Sequence, residues 1–489
     1  MVSSMPSAAD LLGNRRRVLV TGGGGFIGGA VLVLMEKATK AAIVDSTNNS
    51  IVDYIDQVQV PKGYWKYRDP GKWIAERNGI QSAVTSVTKI GVLQQNLINS
   101  ACDDIVDGKI EASLIVGGEA RYKKVLALKE NKKFIETELN INPDFYVKAS
   151  DELQTKEEQD ELGLMAVGYY AILETAYRKK NRLSLEEHRE KISHMYAEFS
   201  EIAANNSDGW IDSKKSSEDI KKVSKENPLQ ALPYNKFHCT SWNVNQASAM
   251  IICSEDLADK LNIPKDKRVY PLASSETNHM IAPIQRPELT QSAGLDLAAK
   301  FIKDICKDQQ IQPNIYELYS CFPIAVQMFA DSLNLKPDDI KTVTGGMSFA
   351  GGPLNNYMIH STVKMLKEIR NNHLNIGLVT GVSGMMTKQA FALWAKEPLM
   401  QFISKDVTKQ AALIEYPIEM STQNNGEAVI LGYTIFKDID KGMKVVIYGE
   451  DSQKNRKVLI SKDKEIIKNM GEEEWVGKKI VFKGKYLVS

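Results

Sequence analysis

Two predominantly apolar runs limit the folds open to this chain more than any other feature of it. Residues 113–120 (SLIVGGEA) and 375–394 (NIGLVTGVSGMMTKQAFALW) each read as a buried strand, which must be covered on both faces. Helical patterns flank them. Residues 91–108 place Leu93, Leu97, Ala101 and Ile105 on one face. Residues 295–307 form a second helix, and 317–333 read as a short turn entering a third. Helices alternating with apolar strands predict a layered α/β architecture. Two segments break the pattern. Residues 121–233 are highly charged, long-period and poor in strands, which predicts a helical insertion. Beyond about residue 404, short β runs at 427–436, 443–448, 457–460 and 479–482 predict a small barrel or sandwich. Small barrels often bind oligonucleotides, but Glu450, Asp451 and Glu472 to Glu474 interrupt the lysines, so no nucleic-acid groove is expected.

Composition narrows the classes further. A chain of 489 residues exceeds one small core and suggests roughly two to four domains. A net charge of +1 argues against a polyanion-binding surface spread over the whole molecule. The cysteines Cys102, Cys239, Cys253, Cys306 and Cys321 show no CxxC spacing and read as reduced thiols of a cytoplasmic protein. None stands at zinc-ligand spacing with the histidines, so no metal is expected. No membrane span is expected: the longest apolar run near the start, around Ala30 to Met35, is far shorter than the roughly 20 residues a spanning helix needs.

Two glycine-rich stretches carry the chemistry. Residues 344–360 (TGGMSFAGGPLNNYMIH) predict a glycine turn feeding a helix, with Pro353 in the first turn and Leu354, Met358, Val363, Leu366 and Ile369 on its apolar face. Such a turn suits a thioester oxyanion or a phosphate, or simply joins two buried elements. Near the start, Gly22, Gly25 and Gly28 fit GxxGxxG, and Asp45 ends the next apolar run. This opening resembles the nucleotide-binding start of extended short-chain dehydrogenases and leaves NAD(P) binding as a weaker alternative. The YxxxK pair those enzymes need occurs here only as Tyr433 and Lys437, about 400 residues away.

Several segments, taken in order, resemble the thiolase superfamily: SLIVGGEA, NVNQASAMIICSEDLADKL, YSCF, TGGMSFAGGP and the late glycine strand. With the extra β domain the chain is similar to thiolase-like proteins of type 1. The resemblance implies a two-half layered αβαβα core. Residues 1–120 and 234–262 would form the first half, 121–233 the loop-domain insertion, 263–403 the second half, and 404–489 an additional OB-like domain. It also implies acyl-CoA or CoA as substrate or ligand, no further cofactor, and a homodimer.

Thiolases need a nucleophilic thiolate, an activating histidine, an acid/base cysteine and donors for the thioester oxygen. Carried over by position, the nucleophile corresponds to Gly91; Cys102 lies on the same helix about three turns later. The histidine corresponds to Gly352 within Gly351-Gly352-Pro353. The second cysteine falls in TGVSG, where Ser383 beside Gly384 is the nearest hydroxyl. The asparagine or histidine of the NEAF or HDCF motif corresponds to Tyr319. Tyr319 and Cys321 are therefore the catalytic candidates, with Gly346, Gly351, Gly352, Ser383 and Gly384 as the expected substrate-contacting wall. Cys321 reads equally as a small buried residue, Glu119 as a structural acid, and Ser320 has only His279 or His360 as a base by segment. Two functions follow: a divergent acyltransferase acting on acyl-CoA, or a non-catalytic protein that binds CoA, an acyl group or a partner.

Overall fold

The computed structural model describes residues 18–23, 31–131, 139–149, 153–372, 374–438 and 442–488. Strands β1 (Val18–Gly23), β2 (Ile55–Pro61), β3 (Val84–Thr88), β4 (Ala112–Ala120), β5 (Phe145–Val147) and β8 (Asn245–Ser254) form one sheet in the order β1-β8-β4-β2-β3-β5. The hairpin β6 (Leu229–Ala231) and β7 (Tyr234–Asn235) stands apart. Strands β2 to β5 run parallel, while β8 is antiparallel to both β4 and β1. A second sheet has the order β10 (Ile315–Glu317), β11 (Ile376–Ser383), β12 (Lys388–Ala395), β9 (Tyr270–Thr277), β13 (Ile403–Asp406).

The period of two along β4 explains why its run is apolar throughout. Leu114 and Val116 face an outer cluster with the Val31–Asp45 helix, while Ile115 faces a middle layer. That middle layer holds the Gln95–Val106 and Tyr357–Asn371 helices between the sheets. Leu97, Ile98, Met358, Val363 and Leu366 pack there against Met250 and Ile252 of one sheet and Val379 and Trp394 of the other. The Ala293–Asp308 and Pro323–Leu333 helices cover the second sheet's far face. Five layers result, and both sheets are covered on both sides.

Three expectations change. Residues 375–394 are not one strand but the antiparallel pair β11–β12, because Gly384 and Met386 at φ +71° and +52° turn the chain over. Pro353 does not enter the long helix; it precedes a short 3-10 turn, Leu354–Asn356, and the helix begins at Tyr357. Residues just beyond 404 belong to the core, since β13 pairs with β9. The C-terminal domain is a closed barrel of β14 (Asn425–Asp438), β15 (Gly442–Asp451), β16 (Arg456–Ser461), β18 (Tyr486–Val488) and β17 (Lys479–Lys483).

The segment between β4 and β8 is mostly helical, although β5 returns from it to extend the first sheet. Its Val167–Lys180 helix lies against the barrel, where β14 carries a bulge between Ile430 and Gly432. A Cβ at Gly432 would stand 2.7 Å from the Ile172 carbonyl, so only glycine admits this approach. The Thr175 hydroxyl then accepts from the Tyr433 N–H at 3.0 Å and donates to the Tyr433 carbonyl at 2.9 Å.

Candidate functional site

A cleft of about 750 Å³ opens where the insertion meets both halves. Its inner wall comes from the segment after β10. Glu317 ends that strand fully buried, and its carboxylate accepts from Thr342 and Thr344 hydroxyls, the Val343 and Thr344 N–H groups and the Tyr357 hydroxyl, all at 2.7–3.0 Å. Five donors on one buried acid satisfy its charge and fix the loop entering Gly345-Gly346. At Gly346, φ is +74°, and a Cβ would meet Phe199 at 2.8 Å and Ser320 Oγ at 3.3 Å. The Met347 N–H donates to Ser320 Oγ at 3.0 Å.

Beyond Glu317 the chain places Tyr319 and Cys321 in the cleft wall, joined there by Gly352, Ser383 and Gly384. These five predicted residues come together from three separate segments. Gly346 and Gly351 do not reach the cleft; Gly351 instead packs against Gln246. Nor does Gly91, whose neighbour Ile90 lines the cleft. Gly91 has φ +103°, and the helix it was expected to begin starts at Gln95. A side chain there would be strained and removed from the helix N-terminus that stabilises a thiolate. At Gly352 a Cβ would fall on the Thr240 methyl, with Met347 Cε at 3.1 Å. The place of the expected histidine is filled by neighbours.

Burial decides the protonation of what remains. It pushes the Cys321 thiol up to about 12, although the Tyr170 hydroxyl beside it opposes the shift. The Tyr319 phenol is raised well above its ordinary range by burial and by Cys321. Tyr170, on the insertion helix, donates to the Gly384 carbonyl and accepts from the Met386 N–H, both at 3.1 Å, and its ring stacks on Phe322 at 4.6 Å. Sequence reasoning missed it, as it missed Cys239, whose thiol burial also raises. Among the described residues no histidine and no carboxylate lines the cleft; its charged groups are Lys129 and Lys236. Gln94 and Asn355 hydrogen-bond across the two halves in the same wall, and Gln94 Oε1 is buried without a partner. At the rim the Arg121 guanidinium lies 3.7 Å from the Trp242 ring centroid, and Tyr122 packs edge-on against Trp210 at 5.1 Å.

The other candidates lie elsewhere. Cys102 is sealed in the middle layer and its thiol is raised well above its usual value by burial. Glu119 is buried and accepts from the Tyr64 N–H at 2.7 Å. His279 contacts the Glu415 carbonyl at 2.9 Å, and His360 stacks near Tyr357 in the core, so neither reaches Ser320 as a base. The dinucleotide alternative meets a different obstacle. Gly22 lies in β1, an edge strand antiparallel to its neighbour, while Gly25 and Gly28 fall outside the described residues. Asp45 closes a helix, not a strand, and its carboxylate pairs with Arg370 at 2.7 Å. A dinucleotide fold needs a parallel strand at a switch point and an acid free for ribose, and β1 and Asp45 supply neither.

No family model and no curated protein matches the chain. Solved structures do. The chain has the thiolase-type α/β fold, with a closed five-stranded barrel near the C-terminus. It is similar to a monomeric SCP2-thiolase like protein type 1 from Mycobacterium smegmatis at 23% identity and TM-score 0.82, over 96% of this chain and 98% of that one. Human mitochondrial 3-ketoacyl-CoA thiolase in complex with CoA matches at 16% identity and TM-score 0.53, over 78% of this chain and 98% of that one. An Ltp2-ChsH2(DUF35) aldolase matches at 14% identity and TM-score 0.57, over 78% and 99%.

Proposed function

We propose that the protein binds acyl-CoA thioesters in this cleft without thiolytic or Claisen chemistry. The observation that carries the reading is the cleft lining: apolar and aromatic side chains, two lysines, and thiols that burial keeps protonated, with no imidazole or carboxylate among the described residues that line it. An acyl chain suits the apolar wall, and the phosphates of CoA suit Lys129 and Lys236. The Tyr319 phenol, held protonated, is a donor for a thioester carbonyl. A human thiolase with this core fold was crystallised with CoA, which agrees with the ligand class. Calorimetric titration with CoA, acetyl-CoA and longer acyl-CoAs tests it. Binding that weakens about tenfold or more in the Lys129→Glu, Lys236→Glu double variant is expected; no binding of any CoA species overturns it.

The second reading, a divergent acyltransferase, is favoured by one feature: Cys321 stands in the cleft wall with Tyr319. Thioester cleavage that disappears in Cys321→Ala would select it. We further infer a monomer in place of the expected homodimer, because the SCP2-thiolase like protein type 1 matched over 96% of this chain is described as monomeric.

A further inference from the structure

The Arg121–Lys129 helix, at the mouth of the cleft, buries none of its nine residues. A helix that short is marginal in water by itself, where about 12 to 15 residues are needed. Its first turn is what anchors it. The Tyr122 N–H donates to the Val244 carbonyl at 3.2 Å, the Lys123 N–H to Asn245 Oδ1 at 3.0 Å, and Arg121 Nε to Asn243 Oδ1 at 2.7 Å. Past that turn, Leu126 and Leu128 are 40% and 64% exposed. The helix carries four bases, Arg121, Lys123, Lys124 and Lys129, and no acid.

Its surroundings repeat this chemistry. Leu164 and Met165, from the insertion, line the same mouth while 76% and 51% exposed, and Ile90 joins them at 49%. Apolar side chains from three separate segments thus converge, unburied, around one opening beside a basic helix. Scattered exposed apolar residues need no explanation, but a contiguous cluster with a polar rim marks an interaction surface.

We propose that this face docks on an anionic lipid surface, with the Arg121–Lys129 helix lying in the headgroup region. Charge selects this occupant. Lysines attract acidic headgroups, while Leu128 of the helix and the neighbouring Leu164 and Met165 offer apolar side chains to the acyl boundary. A second copy fits worse, since twofold pairing would set the basic helix against itself. Docking in this orientation turns the mouth of the cleft toward the bilayer. The surface does not depend on what the cleft binds, so the two are tested apart.

The experiment is flotation of the intact protein with phosphatidylcholine vesicles and with mixed phosphatidylcholine–phosphatidylserine vesicles. Binding is expected to the mixed vesicles and to fall as salt rises. The Lys123→Glu, Lys124→Glu double variant should lower the partition coefficient by about tenfold or more. Leu128→Asn should weaken it without removing the salt dependence. All of these side chains lie outside the lining of the cleft, so acyl-CoA titration of the same variants should be unchanged; failure of that titration in the parent chain removes the cleft reading alone. Flotation no better with phosphatidylserine than without it, or unaffected by both variants, overturns the proposal. So does light scattering that shows a dimer which Leu128→Asn dissociates.

Discussion

Glu317 is the residue on which the inner wall of the cleft hangs. Its side chain holds four backbone or hydroxyl donors of the loop before Gly345 together with Tyr357. Glu317→Gln turns an amide N–H₂ toward donors and should cost about 3 kcal/mol in urea unfolding. Gly352→His should destabilise rather than restore a catalytic base, because the new Cβ collides with Thr240. A gain of thioester cleavage with unchanged thermal stability would contradict this. His360 supplies a pH prediction. Both of its ring nitrogens are buried without partners, and burial lowers its pKa to about 4. A depressed histidine keeps its stability above the unfolded value near 6.5 and loses it as pH falls toward the folded value. His360→Phe removes that loss. Its stability relative to the parent chain should rise by about 1.4 kcal/mol per pH unit between roughly pH 6.5 and 4, as read from urea melts.

At the scale of elements, the join between the Val167–Lys180 helix and β14 depends on one hydroxyl. Thr175→Val leaves the Tyr433 N–H and carbonyl unpaired at the bulge and should cost about 2 kcal/mol, with the barrel strands losing hydrogen-exchange protection first. This join was invisible in the sequence, since it links residues 258 apart and no local pattern connects them. What was legible had local causes. The β4 run announces burial on both faces by its composition alone, and the Gln95–Val106 helix by its spacing of Leu97, Ala101 and Ile105. The β11–β12 hairpin was read as one strand because both arms are equally buried, so no polar interval marks the turn at Gly384. The apolar run before Asp45 gave no sign of its helix, because its alanines and isoleucine fit either period over five residues. In the cleft, Tyr319, Cys321, Gly352, Ser383 and Gly384 were reached through the order of motifs. Tyr170, Tyr122 and Trp210 were not, because the insertion brings them in from a segment that reads only as charged helix, and Cys239 and Trp242 follow it outside any motif. Gly91 and Gly351 show the opposite limit: motif position placed them at the site, and backbone conformation and packing put them elsewhere.

Over the whole molecule, the insertion ties the barrel to the core. Glu158 accepts from the Tyr448 hydroxyl of β15 at 2.5 Å and from the Ile284 N–H at 2.9 Å, while Arg178 pairs with Glu474 at 2.8 Å. Apolar residues of the insertion, the second half and the barrel share one cluster, including Tyr169, Phe322 and Tyr448. Core and barrel should therefore unfold in a single calorimetric transition, and two resolved transitions would contradict the coupling. Light scattering should give the mass of one chain. On the reading proposed above, the cleft takes a thioester and does not cleave it, since among the described residues no histidine or carboxylate lines it. The most direct test measures binding and turnover of acetoacetyl-CoA on one sample with CoA present. Saturable binding with no cleavage above the uncatalysed rate is the predicted result; cleavage that Cys321→Ala abolishes would contradict the account.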